Sequence, residues 1–191
     1  DELTLHQNML HLAEGIDPIA AAMTEPLAVA IRCVETLSPD PGQPLAVFGM
    51  GAIGLFCAAY AHMRGVGPIT LIARNPGSLR SQAAREAALD LGADRVLYTR
   101  DPDWEKEAGL VPSVILAAPP SLVPDALRIT AYGGKALAAG VTFGEDHSAL
   151  IDVNNMVFNK KFLLTSIAEP GLRFPLALSL IRSGRIDVRR I

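Results

Sequence analysis

Leu45-Ala46-Val47-Phe48-Gly49-Met50-Gly51-Ala52-Ile53-Gly54 decides the fold: an apolar run too short for a helix enters G-x-G-x-x-G, and Leu55, Ala58, Ala59 and Met63 then recur at helical spacing. Strand, glycine turn and helix in that order open a dinucleotide-binding unit. Gly49 permits a sharp turn off the strand, Gly51 lets backbone approach a pyrophosphate, and Gly54 lets the helix pack closely. The helix N-terminus, with Ala52 and Ile53, then offers unpaired N–H groups and a positive dipole end to the phosphates.

The same alternation continues outward. A strand at Ile69 to Ala73, a helix from Leu79 to Leu91 and a strand at Arg95 to Tyr98 complete βαβαβ. A second half follows, with strands at Ser113 to Ala117, Lys135 to Ala139 and Phe162 to Ile167, and helices at Ser121 to Tyr132, Asp152 to Asn159 and Arg173 to Ser183. Trp104, among charged neighbours, reads as the anchor of an exposed helix rather than a base-stacking platform. On the other side, Ile19, Ala22, Met23, Leu27, Ala30, Ile31 and Val34 mark helix over Pro18 to Leu37, broken at Pro26. Parallel neighbours need a covering crossover at each connection, so the expectation is an α/β doubly wound six-stranded parallel sheet, the Rossmann fold, over residues 18–191. Residues 1–17 read as a connector with a strand or turn near Met9 to Leu12.

Half of the 191 residues are hydrophobic, enough to bury one domain core, and the net charge of −3 lacks the basic excess that nucleic acid would demand. No apolar run reaches the ~18 residues of a membrane span, so a cytoplasmic protein is expected. Cys33 and Cys57 lie in apolar helical patterns and read as core packing. His6, His11 and His62 lack ligand spacing, and His147 beside Glu145 and Asp146 reads as a solvated turn.

The second strand ends Ile72-Ala73-Arg74-Asn75, where an NAD site normally carries an acid for the ribose hydroxyls. A small residue followed by arginine leaves room and positive charge for a 2′-phosphate instead. The expected preference is NADP over NAD, with Arg74 as the main contact and Ala73 and Asn75 beside it.

Several stretches together resemble the coenzyme half of zinc-containing medium-chain alcohol and polyol dehydrogenases, the sorbitol, threonine and glucose dehydrogenase group. They are Glu25-Pro26-Leu27-Ala28, Pro41-Gly42-Gln43 before the glycine loop, Leu91-Gly92-Ala93-Asp94, Gly133-Gly134-Lys135 through Gly140-Val141, and Ser183-Gly184-Arg185-Ile186-Asp187. The resemblance covers nearly the whole chain. It implies strand order 3-2-1-4-5-6, and residues 1–17 leading from an N-terminal catalytic domain that supplies Cys and His to zinc. Hydride would pass between an alcohol, polyol or sugar and NAD(P), with zinc polarising the alcohol oxygen. It also implies that Glu25 matches the carboxylate at or near the zinc; the plain alternative is an acid favouring a helix N-terminus. Ala117, Ala118, Gly140, Val141 and Ser166 would line the nicotinamide end. Two departures stand out: Ala118-Pro119-Pro120 where relatives have Gly or Thr, and a loop from Asn75 to Gln82 longer than the common pattern.

Two other functions fit parts of this pattern. A non-catalytic nucleotide-sensing module needs the glycine loop alone. An S-adenosylmethionine methyltransferase shares a glycine-rich first turn, but would keep an acid at the end of the second strand. The apolar sixth strand could pair across a two-fold axis, so a homodimer or homotetramer is expected.

Overall fold

A computed structural model describes residues 16–75, 77, 79–143, 147–167 and 170–191. The turn expected near Met9 to Leu12, most of the connector, His6, His11 and the acidic pair Glu145 and Asp146 lie outside these residues.

Six parallel strands, β1 Leu45–Phe48, β2 Ile69–Ala73, β3 Arg95–Tyr98, β4 Val111–Leu116, β5 Thr130–Ala138 and β6 Phe162–Thr165, form one sheet in the order β3-β2-β1-β4-β5-β6. The helices are α1 Pro18–Ala22, α2 Thr24–Leu37, α3 Ala52–Met63, α4 Leu79–Asp90, α5 Trp104–Ala108, α6 Val123–Ile129, α7 Val153–Phe158 and α8 Phe174–Arg182. Side chains alternate across the central strand. Leu45 and Val47 enter one core with α2, α3, α4 and α8, whereas Ala46 and Phe48 enter a second with α5 and α6. Both faces are therefore covered, as an all-parallel sheet requires. Trp104 is buried against Phe48, edge to face with ring centroids 5.8 Å apart, which fixes α5 to the sheet.

Short motifs do local work at the strand ends. In Leu91-Gly92-Ala93-Asp94, Gly92 has φ +102° and lies against the His62 ring, and the Asp94 carboxylate accepts the Ile69 N–H at 2.6 Å, tying β3 to the start of β2. Gly184 stops α8 with φ +70°, and the Asp187 carboxylate accepts the Arg189 N–H at 3.1 Å.

Two expected helices change their bounds. The helix over 18–37 breaks at Met23, not at Pro26; Pro26 is the third residue of α2, where its missing N–H would have no intrahelical acceptor. The helix expected to Tyr132 stops at Ile129, because Thr130 is already extended and its hydroxyl donates to the Ala126 carbonyl at 2.8 Å. Residues 130–132 instead lengthen β5. After β2 the helix starts at Leu79 as expected, so Leu79 to Gln82 belong to α4 rather than to the loop, and the Asn75 side chain accepts the Gly77 N–H at 3.1 Å.

Candidate functional site

β1 has β2 on one side and β4 on the other, with the two connections leaving toward opposite faces. This is the switch point of the sheet, where loops at the carboxyl ends of the strands diverge and leave a crevice. Hydrogen bonds carry the ladder past the strands into these loops. Gly49 N–H donates to the Ile72 carbonyl at 2.8 Å, Ala117 N–H to Phe48 at 2.9 Å, Gly140 N–H to Leu116 at 3.0 Å and Ser166 N–H to Ala138 at 3.2 Å. The rim is thus held by backbone.

The three glycines of the loop differ physically. Gly49 has φ +103°, and a Cβ there would strike the Ala117 carbonyl, so β1 and β4 could not stay this close with a side chain. On Gly54 a Cβ would meet the Gly49 carbonyl, its carbon 2.9 Å away, so α3 can seat on the loop only with glycine. Gly51 is exposed, has ordinary backbone at φ −82°, and a Cβ there would meet nothing within 4 Å. Its open face is where a ligand backbone can approach. α3 begins at Ala52, directing its first N–H groups into the same space.

Gly140 makes a further close approach, since a Cβ there would strike the Ala118 carbonyl. It brings the loops after β4 and β5 together. Beside them opens a cleft of about 1160 Å³ that takes in Ile53, Ala117, Gly140, Val141 and Ser166. The expected nicotinamide-end residues Ala117, Gly140, Val141 and Ser166 therefore converge, with Ile53, expected at the phosphates, beside them. Ala118 supports the rim from behind Gly140. Ala73, the last residue of β2, and Arg74 and Asn75 just beyond it do not line this cleft, and Arg74 and Asn75 are exposed.

Glu25 is exposed in the first turn of α2, where its charge complements the helix dipole. Among the described residues no group of three or more His, Cys, Asp or Glu could hold a metal ion. Cys33 and Cys57 are both fully buried in the core as free thiols. No described helix is long and apolar enough to cross a membrane.

Val29, Arg32, Thr36 and Thr165 also line the cleft and were not expected from the sequence. The signal was available: Glu25, Val29, Arg32 and Thr36 recur at helical spacing along one face of α2. In sequence that face reads as interrupted apolar packing, because the element it would border lies far away in the chain.

A family model described as zinc-binding dehydrogenase matches residues 52–183. D-xylulose reductase A of Aspergillus niger is 26% identical over 190 residues, covering 94% of this chain and 51% of that protein. Sorbitol dehydrogenase of Bacillus subtilis strain 168 is 26% identical over 184 residues, covering 90% and 48%. A crystal structure described as a zinc-binding dehydrogenase from Sinorhizobium meliloti 1021 bound to NADP superposes with TM-score 0.82 at 26% identity, covering 94% and 53%. The chain spans about half the length of the curated relatives it matches.

Proposed function

The chain belongs to the zinc-binding dehydrogenase family, and we propose that it is the coenzyme-binding half of an oxidoreductase that moves hydride between an alcohol, polyol or sugar and NAD(P). One observation carries this reading: a glycine loop at the sheet's switch point leaves Gly51 open while Gly49 and Gly54 are packed shut. A fold that needed only a tight turn would have no use for the open position. Membership of a dehydrogenase family also speaks against the methyltransferase alternative.

Residues 49–54 and the start of α3 hold the pyrophosphate in this reading. Arg74, exposed past the end of β2 with the small Ala73 before it and Asn75 after it, holds a 2′-phosphate and favours NADP over NAD. The rim formed by Ala117, Ala118, Gly140, Val141 and Ser166 orients the nicotinamide through backbone groups, with the Ile53 side chain against the ring. NAD(P), once bound, supplies the hydride-carrying carbon. The chain fixes which face of the ring is presented and keeps water from one side with Val29, Ile53 and Val141.

The described residues do not by themselves fit zinc. Glu25 contributes one carboxylate at most, and a catalytic zinc takes about three protein ligands. We assign Glu25 as a single ligand, or a neighbour of one, whose partners come from the part of the protein outside this chain. Residues 1–17 form the connector to that part, and residues 18–191 the coenzyme domain. A cytoplasmic location accords with two buried free thiols and no disulfide among the described residues.

We also propose a homodimer or homotetramer. Among the described residues β6 is the last strand of the sheet, with one edge unpaired, and its Phe162 and the neighbouring Val157 and Phe158 are 55%, 67% and 78% exposed. A second copy meeting this edge would cover both the apolar side chains and the open backbone groups.

Titration of the chain with NADPH, following cofactor fluorescence beside a metal assay, tests the core of this reading. Saturable binding without bound zinc or turnover is expected; an absence of saturable binding would overturn it.

A further inference from the structure

Among the described residues Arg32 is the only charged side chain lining the cleft, and it is half buried there. It stands one turn beyond Val29 and one turn before Thr36 on the face of α2 that borders the cleft. Glu35, three residues on, is engaged elsewhere: its carboxylate accepts from Arg173 Nε at 2.6 Å and from the Tyr60 hydroxyl at 3.4 Å. Among the described residues no carboxylate pairs with Arg32. The remaining described walls are apolar side chains, Phe143 among them, and the hydroxyls of Thr36, Thr142, Thr165 and Ser166, none of which carries a negative charge.

We propose that Arg32 is a fixed positive charge by which this cleft selects the reduced cofactor over the oxidised one. The inference rests on the nicotinamide placement given above. An oxidised nicotinamide ring is a cation, and taking hydride at its C4 carbon removes the ring charge. A guanidinium stays protonated throughout the accessible pH range, so it repels the oxidised ring and leaves the reduced ring unaffected. In a partly desolvated cleft, Coulomb repulsion between unit charges several ångströms apart corresponds to a relative affinity of about tenfold or more. Destabilising the cationic form makes the bound ring a stronger hydride acceptor, which favours alcohol oxidation on the protein.

The immediate surroundings are consistent with this field. The Cys33 thiol, next to Arg32 on α2, is held below its ordinary range chiefly by its hydrogen bond with Cys57, with smaller contributions from the Ser166 side chain and the Arg32 charge.

The test is calorimetric titration of the chain with NADPH, NADP⁺ and adenosine 2′,5′-bisphosphate, using the native chain, Arg32→Gln and Arg32→Lys. Native chain should favour NADPH, and Arg32→Gln should lower the ratio of the NADP⁺ to the NADPH dissociation constant about tenfold, mainly by tightening NADP⁺. Arg32→Lys should keep the ratio, and the bisphosphate, which has no nicotinamide, should bind all three alike. A ratio unchanged in Arg32→Gln, or equal changes for both redox forms, would overturn the proposal. If the native chain binds the bisphosphate no less tightly than either full cofactor, the nicotinamide placement itself fails, and the proposal with it.

Discussion

Gly54 rests directly on the carbonyl group of Gly49, five residues earlier, so the first turn of α3 and the end of β1 occupy positions that exclude any side chain between them. Gly51, between the two, faces open space. One loop thus contains two glycines required by packing and one that packing does not require.

Gly54→Ala should therefore destabilise the fold by about 1–3 kcal/mol, since the added methyl meets backbone that must shift. Thermal unfolding should show a melting temperature lower by several degrees, while Gly51→Ala stays within about 0.5 kcal/mol of the native chain. Equal melting temperatures for the two variants would contradict the difference in packing.

The strand order and glycine loop were readable because β1 is buried on both faces and the loop lies next to it in sequence. The motif around Asp94 was also legible, as its carboxylate closes a local ladder. What failed was punctuation. Pro26 reads as a helix breaker unless the helix start at Thr24 is known, and Ala131 and Tyr132 fit a helical period until Thr130 turns the chain into β5. Arg32 was missed for a different reason: a charged residue in an amphipathic helix reads as solvent-facing, and only the tertiary fold brings β5 and β6 opposite it.

Arg74→Ala should weaken NADPH by roughly ten- to a hundredfold, the worth of one or two charge-assisted hydrogen bonds, and leave NADH almost unchanged. Calorimetry on both cofactors reads this directly. Equal loss for both would move Arg74 from the 2′-phosphate to a contact common to the two cofactors.

Glu35 joins three elements, taking Arg173 from the turn before α8 and Tyr60 from α3. Glu35→Gln should cost about 1–3 kcal/mol in chemical denaturation, because both ionic partners are more than two-thirds buried.

The Tyr60 phenol is held above its ordinary value, first by burial and then by the Glu35 charge. A raised value favours the neutral phenol in the folded state. Its contribution is therefore complete below the unfolded value of about 10 and is lost as pH rises through the folded value. Stability should decline in that alkaline window, and Glu35→Gln should move the Tyr60 titration, followed by tyrosinate absorbance, toward lower pH. An unmoved titration would remove Glu35 as a cause.

Phe158→Asp places a charge on the exposed apolar surface beside β6. Sedimentation velocity should show the native chain as a dimer or larger and the variant as a monomer with unchanged secondary structure. A native monomer would contradict association through this chain, and a variant that still assembles would place the contact elsewhere.

Gly51→Val shows whether the open glycine receives the pyrophosphate. With no atom within 4 Å of the added Cβ, the fold should keep its melting temperature within about a degree or two, while the NADPH dissociation constant should rise by at least about a hundredfold. Native-like NADPH affinity in a fully folded Gly51→Val chain would contradict the account, because the pyrophosphate could not then lie against residues 49–54.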